Sequence, residues 1–150
     1  MVNLSECSLQ FGNLPEVQME SVATKRILII EDEANLRIVV QTCLETLAGW
    51  DVVSVASGEE GLLVAERERP DAILLDAMIP GMDGVTFLQK LLANPQLQAI
   101  PVVFLTAKVE LTQPERFLKL GARGAIAKPF NPLTLHNQVK TALGWGSEVG

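Results

Sequence analysis

Five polar side chains of this chain lie at the positions where apolar segments end. Glu31 and Asp32 lie at the end of the first segment, Asp76 at the end of the third, Thr106 at the end of the fourth and Lys128 at the end of the fifth. If the segments are parallel strands, the five groups meet at one edge of the sheet, where ligands of such sheets bind. Three carboxylates at one point repel one another unless a cation is present. The sequence therefore predicts a site for a divalent cation and a phosphoryl group.

These residue types suit phosphoryl transfer. Mg²⁺ binds one or two carboxylates together with water and phosphate oxygens, and a carboxylate nucleophile can form an acyl phosphate. In this interpretation Asp76 is the nucleophile, Lys128 offers a compact positive charge to a phosphoryl oxygen and Thr106 donates a hydrogen bond to another. Each residue alone has an ordinary explanation, since an acid at a strand end is commonly a turn former or a helix cap. Five matching groups at matching positions favour the site.

Apolar segments that alternate with helical patterns must position these groups. The segments are 26–30, 51–56, 72–76, 101–105 and 124–128. Several are apolar at successive positions, which is typical of strands covered on both faces. The segments between them carry apolar stripes of helical period. Five strand–helix units predict an α/β domain with a parallel sheet, right-handed crossovers and helices on both faces.

Helix boundaries are indicated by capping patterns and glycines. Residues 57–60 and 112–115 have the sequence of capping boxes, and Asn131-Pro132 predicts an N-cap followed by the first residue of the last helix. Gly121 and Gly144 are expected to end the last two helices.

Composition limits the class of protein. The chain has 150 residues, 48% of them hydrophobic, a net charge of -6 and a pI near 4.8, which favours one globular domain and disfavours a nucleic-acid binder. Two cysteines, Cys7 and Cys43, and one histidine give little support to a zinc site and favour a reducing compartment. No signal peptide or stretch of about 20 apolar residues is apparent. A cytoplasmic protein without membrane association is expected.

Four segments in this order resemble the receiver domain of two-component response regulators. They are 27–33 (ILIIEDE), 76–84 (DAMIPGMDG), 101–107 (PVVFLTA) and 121–130 (GARGAIAKPF). The resemblance implies a doubly wound (βα)5 flavodoxin-like fold with sheet order 2-1-3-4-5. It also implies an N-terminal extension at residues 1–24, a receiver domain at 25–144 and a tail at 145–150, as in single-domain, chemotaxis-type regulators. We expect no output domain.

The same resemblance implies a Mg²⁺ site. Asp32 matches the direct metal ligand and Glu31 its acidic neighbour, which usually acts through water. Asp76 and the backbone carbonyl of Met78 complete the implied set of protein ligands.

It further implies that Asp76 is the phosphoacceptor, supplied by a histidine kinase or a histidine phosphotransfer protein. Lys128 matches the phosphate-binding lysine, in a peptide bond to Pro129 that is expected to be cis, and Thr106 matches the hydroxyl that shifts on activation. Met78 and Lys108 occupy positions that tune the lifetime of the phosphate.

Two residues depart from the family pattern. Glu31 stands where an aspartate is frequent, and metal binding is expected to survive this change. Ala125 stands where many members carry Tyr or Phe that moves with the threonine. The switch is then expected to use the loop 106–112 and the helix that starts near Thr112, or to be weak.

The leading interpretation is a stand-alone phosphorylation switch that binds an unidentified protein, or a second copy, through residues 112–144. A phosphate shuttle fits equally well. A phosphorylation-independent interaction module is the alternative, although such receivers usually lack the acids, the acceptor or the lysine. An enzyme on the same architecture is disfavoured, because the chain has no GxxxxGK phosphate loop and residues 31–35 (EDEAN) carry the wrong charge for a flavin phosphate. We expect it to promote only its own phosphorylation and dephosphorylation.

Overall fold

The computed structural model describes residues 24–145. Apart from Thr24 and Trp145, the predicted N-terminal extension and C-terminal tail lie outside the described residues. The strands are β1 (Arg26–Ile30), β2 (Asp51–Val55), β3 (Ala72–Leu75), β4 (Val102–Thr106) and β5 (Gly124–Ala127). The helices are α1 (Ala34–Ala48), α2 (Gly58–Glu68), α3 (Gly84–Ala93), α4 (Pro114–Leu120) and α5 (Leu135–Leu143). A short 3₁₀ helix, Val109–Thr112, precedes α4.

The strands form one parallel sheet in the order β2-β1-β3-β4-β5. This confirms the predicted fold class and strand order. All four residues of β3 and all five of β4 are buried, as the unbroken apolar runs at residues 72–75 and 102–105 predict for strands covered on both faces.

Two hydrophobic cores lie on opposite faces of the sheet. Alternate residues of β1 divide between them, since side chains of a strand alternate between faces. Leu28 and Ile30 pack in the core beneath α2, α3 and α4, whereas Ile27 and Ile29 pack in the core beneath α1 and α5. The sheet is thus packed on both faces, and this packing fixes the positions of the polar residues at its carboxyl edge.

Side-chain caps begin three of the helices. Glu33, Ser57 and Asp83 accept hydrogen bonds from the backbone N–H three residues later, at the starts of α1, α2 and α3. These bonds satisfy donors that a helix leaves unpaired in its first turn.

Two predicted helix starts are wrong. Thr112 does not cap α4, because its hydroxyl donates to the carbonyl of Val109 within the 3₁₀ helix, and Gln113 is the N-cap. Asn131 likewise forms a local turn, accepting from the Leu133 N–H at 2.9 Å, so that α5 begins later, at Leu135. In both places the polar side chain forms a hydrogen bond within a local turn instead of capping the helix.

Aromatic residues join the amino ends of β1 and β2 to the carboxyl end of α5. Trp50, next to β2, and Trp145, after α5, are perpendicular with centroids 5.6 Å apart. The ammonium of Lys25 lies 4.8 Å from the centroid of the Trp145 ring, a cation–π contact. These contacts fasten the start of β1 to the end of α5. No helix within residues 24–145 combines the length and apolar character needed to cross a membrane.

Candidate phosphoryl-transfer and metal site

The sheet places the predicted groups at its carboxyl edge. Backbone hydrogen bonds continue beyond the strands: Glu31 N donates to Val55 O at 3.1 Å, Asp76 N to Ile30 O at 3.0 Å, and Lys128 N to Thr106 O at 2.8 Å. The residues that follow β1, β3 and β5 are therefore fixed as firmly as the strands themselves.

Lys128 connects two of the carboxylates. Its Nζ lies 2.9 Å from Glu31 Oε1 and 3.1 Å from Asp76 Oδ2. Both acids are buried, Glu31 with 1% and Asp76 with 5% of its surface exposed. Charge-assisted hydrogen bonds of this length are strong when partly shielded from water. The positive charge of Lys128 therefore offsets the repulsion between the two buried carboxylates.

The three acids form one cluster. Glu31, Asp32 and Asp76 each offer a carboxylate oxygen within 4.8 Å of the others. With Lys128 counted, three negative charges and one positive charge leave a formal charge of -2. Hard oxygen donors with this residual charge are the ligands that Mg²⁺ prefers. Asp32 is exposed while Glu31 is buried, so the cluster opens to solvent on the side of Asp32.

Burial and pairing shift the pKa values in this cluster. Burial raises the pKa of Glu31, opposed by hydrogen bonds from Lys128 and from the Glu33 N–H. Burial would lower the pKa of Lys128, but its hydrogen bonds to Glu31 and Asp76 and their charges outweigh this effect and raise it. Lys128 therefore remains an ammonium at neutral pH.

The loop after β3 holds the second oxygen of Asp76. Met78 N donates to Asp76 Oδ1 at 2.9 Å, so each carboxylate oxygen has a partner. Gly84 closes the loop by donating its N–H to Ala77 O. A Cβ at position 84 would lie 2.6 Å from the Ala77 Cα, which explains why a glycine suits the start of α3. Met78 itself is 57% exposed and borders the site.

Thr106 and Lys108 form a turn after β4 like the turn that Asp76 and Met78 form after β3. The Thr106 side chain is fully buried, and its Oγ1 accepts from Lys108 N at 2.9 Å. The hydroxyl proton has no acceptor among the described residues and is free to be donated. The Lys128–Pro129 peptide bond is cis. The structure thus groups Glu31, Asp32 and Asp76 in one cluster, in which Lys128 contacts Glu31 and Asp76, with Thr106 at the adjacent strand end.

Arg37 is a neighbour of the site that the sequence did not reveal. Its Nη1 donates to the backbone carbonyl of Glu31 at 2.7 Å. That carbonyl belongs to the peptide linking Glu31 to Asp32, so the arginine orients both acids. The sequence places this cation near the start of a predicted helix but does not show its contact with the end of β1. A lone arginine on a helix carries no such information by itself.

Ala125 lies on β5, opposite Phe104 of β4. It is half-buried and borders a groove of about 410 Å³ between α4, β5 and α5. No aromatic side chain from β5 fills this space, in agreement with the departure noted in the sequence.

Comparison with known proteins agrees with the family resemblance found in the sequence. The model of the family described as "Response regulator receiver domain" matches residues 27–140. The alkaline phosphatase synthesis transcriptional regulatory protein PhoP of Bacillus subtilis is 39% identical over 119 residues, which cover 79% of this chain and 48% of that protein. The chain thus spans about half the length of this curated relative.

Solved structures agree with the fold. The chemotaxis response regulator CheY4 of Vibrio cholerae has a TM-score of 0.73 and 29% identity, covering 80% of this chain and 99% of that one. The receiver domain of sensor histidine kinase PA1611 of Pseudomonas aeruginosa, described with a magnesium ion coordinated in its active-site cleft, has a TM-score of 0.70 and 32% identity. That match covers 81% of this chain and 99% of the other.

Proposed function

The chain belongs to the response regulator receiver domain family, and on this basis we propose that Asp76 accepts a phosphoryl group in a two-component phosphorelay. Receiver domains are signalling modules rather than classical enzymes. One observation carries the proposal: a buried aspartate at a strand end contacts a lysine at 3.1 Å within a three-carboxylate cluster. A carboxylate that only caps a turn does not require a lysine, and here one lysine contacts two buried carboxylates.

The proposed donor is a phosphohistidine of a histidine kinase or histidine phosphotransfer protein. An Asp76 carboxylate oxygen attacks phosphorus, and the P–N bond to the donor imidazole breaks with its electron pair passing to the ring nitrogen. The product is an acyl phosphate on Asp76. The fixed N–H of Met78 holds one carboxylate oxygen, so the other is directed toward the side of Lys128.

Lys128 and Thr106 are the proposed phosphoryl-binding groups. Lys128 already contacts Asp76 Oδ2 and exchanges that contact for a phosphoryl oxygen. Thr106 has a free hydroxyl proton at the neighbouring strand end. Fixed donors aimed where negative charge develops are the main source of rate in phosphoryl transfer.

Glu31, Asp32, Asp76 and the Met78 carbonyl are the proposed protein ligands of Mg²⁺. When bound, the ion supplies charge neutralisation for the phosphoryl oxygens. The buried Glu31 remains tied to Lys128 and to the Glu33 N–H, which suits an indirect role through water. The exposed Asp32 is the better placed of the pair for direct coordination.

Hydrolysis of the acyl phosphate returns the carboxylate and releases inorganic phosphate. Attacking water reaches phosphorus from solvent, and the exposed residues two positions after Asp76 and Thr106 border that approach. These are Met78 and Lys108, the proposed tuning residues. The acyl phosphate carries more negative charge than the carboxylate, so it draws Lys128 and Thr106 toward it.

We propose that this change is passed to another protein through residues 112–144. The connection is short, because Lys108 N bonds to Thr106 Oγ1 and the 3₁₀ helix begins at the next residue, Val109. With Ala125 in place of an aromatic residue, the loop 106–112 and α4 carry the movement.

The test uses phosphoramidate, a small donor with a P–N bond, and intact mass measured rapidly in the cold. We expect one added phosphoryl group on the full chain with Mg²⁺, none after chelation, and none on Asp76→Asn. Asp71→Asn, which changes an exposed acid at the opposite edge of the sheet, is the matched control and should still be labelled. No adduct on a folded chain that binds Mg²⁺ would instead favour a phosphorylation-independent interaction module.

A further inference from the structure

A stripe of apolar side chains runs along α1. Its members follow one another at intervals of three or four residues, the spacing of neighbours on one helix face; they are Leu36, Val39, Cys43 and Leu47. Leu36 and Cys43 are half-buried, whereas Val39 and Leu47 keep 40% and 43% of their surfaces exposed. At 1.5 Å per residue the stripe is about 17 Å long. An apolar stripe that remains half-exposed along a whole helix offers a surface to a further chain segment.

Contacts of the other residues of α1 fix the direction of this stripe. Gln41 donates to Val52 O and accepts from Ser54 Oγ, so its flank of the helix faces the edge strand β2. Val40 and Leu44 are fully buried in the core beneath α1 and α5. The stripe lies on the flank opposite Gln41, on the side of α5, with which α1 packs.

Two polar residues of α5 border the stripe. Gln138 and Thr141 line the groove beside β5, so His136 and Lys140, on the opposite flank of the helix, face α1. The Nδ1 atom of His136 is buried and has no hydrogen-bond partner among residues 24–145, although buried polar atoms are nearly always paired. Lys140 forms no ion pair with the same residues. We call the surface formed by the stripe and by these two residues the α1–α5 seam.

The chain enters β1 where the α1–α5 seam ends. Trp50 follows α1 and Trp145 follows α5, and their rings are in contact with centroids 5.6 Å apart. The ammonium of Lys25 lies 4.8 Å from the centroid of the Trp145 ring, and the Lys25 carbonyl accepts from Asp51 N at 2.8 Å. The residues that precede Thr24 are therefore attached to the domain at the point where both helices of the seam end.

The composition of these preceding residues complements the seam. Residues 1–23, which lie outside the described residues, contain three acidic side chains and no lysine, arginine or histidine. Bulky apolar residues occur among them, including Leu9, Phe11 and Leu14. The acids suit the unpaired Lys140, and the apolar side chains suit the stripe.

We infer that residues 1–23 fold back over the α1–α5 seam, with apolar side chains on the stripe of α1 and acids beside Lys140. The length suffices, because an extended chain advances about 3.3 Å per residue and needs only about five or six residues to run along the seam. A segment tethered at the end of its own binding site has an effective concentration on the order of millimolar. A second copy of the chain lacks this advantage and is the weaker candidate.

The inferred contact differs from the proposed signalling surface. It uses the flank of α5 that faces away from α4 and β5, and it does not depend on phosphorylation of Asp76. The seam ends at Leu36, beside Arg37, which donates to the Glu31 carbonyl. The docked segment would thus cover the flank of α1 that leads from the amino edge of the sheet to the acid cluster.

The two cysteines of the chain provide a direct test. Cys7 lies in the segment and Cys43 in the stripe, and the chain has no other cysteine. Dibromobimane joins two thiols that lie close together, each thiolate displacing one bromide, and the joined product is fluorescent. The full chain is reduced, freed of reductant and treated at low concentration. We expect rapid crosslinking within one chain, identified by the intact mass of the product.

Moving one thiol to the other face of the sheet gives the control. Cys43→Ser combined with Leu63→Cys places the thiol on α2, where Leu63 is 63% exposed. The chain from Cys7 to Thr24 spans up to about 55 Å when extended, so an undocked segment reaches both thiol positions. We expect the parent to react at least about tenfold faster than this variant, because docking raises the local concentration of Cys7 at Cys43 only.

Adjacent residues of α1 supply matched variants. Val39→Glu places a charge in the stripe, whereas Ile38→Glu places the same charge about 100° around the helix, at a residue that is 61% exposed. Val39→Glu should slow the crosslinking of Cys7 to Cys43 about tenfold, and Ile38→Glu should leave the rate unchanged. Phe11→Ser alters only the segment and should also slow the reaction, so the test holds even if thermal unfolding shows that Val39→Glu is not folded.

Three outcomes would overturn the inference. The first is an equal rate for the thiols on α1 and α2, and the second is a rate that none of Val39→Glu, Ile38→Glu and Phe11→Ser changes. The third is a crosslink that joins two chains, which would assign the seam to a second copy. None of them bears on phosphoryl uptake by Asp76, which the mass measurement tests separately.

Discussion

The ammonium of Lys128 lies 3.1 Å from Asp76 Oδ2 in the unphosphorylated chain. The cation proposed to bind the phosphoryl group is therefore already paired with the carboxylate that would accept it. In the proposed reaction, phosphorylation exchanges one anionic oxygen for another at the same lysine, with little reorganisation. The same contact means that Lys128 and a bound Mg²⁺ would both compensate the charge of one acid cluster.

This competition gives the first prediction. Lys128→Ala removes the positive charge and leaves three carboxylates with a formal charge of -3. We expect Mg²⁺ to bind several-fold more tightly by calorimetric titration, while the metal-free variant unfolds at lower temperature because two buried acids lose their partner. Phosphoryl uptake should fall despite the tighter metal binding. Lys108→Ala, which removes a nearby lysine without an ion pair, is the control, and weaker Mg²⁺ binding by Lys128→Ala would contradict the account.

Arg37 is predicted to position the acidic pair. Its hydrogen bond to the Glu31 carbonyl orients the peptide that precedes Asp32, and supporting contacts of this kind are worth about 10- to 100-fold in metal affinity. Arg37→Ala should weaken Mg²⁺ binding by a factor approaching about tenfold or more. Arg37→Lys, which retains a donor, should recover part of the loss. If both variants bind Mg²⁺ as the parent does, Arg37 has only a packing role.

Lys108 is predicted to tune the lifetime of the acyl phosphate. The residue is exposed beside Thr106, and exchanging its positive charge for a negative one alters the path of the attacking water. Lys108→Glu should change the autodephosphorylation rate, followed as phosphate release after removal of the donor. Lys90→Glu makes the same charge change on α3 and should leave the rate unchanged. An unaltered rate in Lys108→Glu removes this residue from that role.

Asp83 provides a prediction for stability and pH. A hydrogen bond from the Thr86 N–H lowers the pKa of this N-cap, so the charged cap contributes stability above its ordinary pKa of 3.8. That contribution is lost as the pH falls below this value and through the lowered pKa.

The matched variants are Asp83→Ala, which removes the acceptor, and Asp83→Asn, which keeps it without the charge. Urea unfolding at pH 7 should show a loss of about 1 kcal/mol for Ala and less for Asn. The advantage of the aspartate over Asn should shrink as the pH falls to about 3. An Asp83→Asn variant whose deficit is independent of pH would show that the charge does not matter.

The sequence was sufficient to predict the sheet. Unbroken apolar runs such as residues 72–75 indicate strands covered on both faces, and five strand–helix units leave few topologies. The resemblance supplied the strand order. Gly121 and Gly144 end α4 and α5 in the left-handed conformation, as predicted, because that conformation favours glycine over other residues.

The helix starts were less predictable. Thr112 and Asn131 have side chains that can cap a helix or close a turn, and the local sequence does not distinguish these uses. The choice depends on tertiary packing: Leu111 is the buried residue of the 3₁₀ helix, and Leu135 begins the buried face of α5. The bridge from Lys128 to Glu31 joins residues 97 positions apart, and no local pattern could show it.

Localising the acyl phosphate tests the central claim most directly. The full chain is labelled with phosphoramidate and Mg²⁺, reduced with borohydride, which converts an aspartyl phosphate to homoserine, and mapped by peptide mass spectrometry. The account predicts homoserine at position 76 and at no other acid, with the signal absent when the donor or Mg²⁺ is left out. Homoserine at position 32, or a phosphoryl group retained on a residue other than Asp76, would contradict it.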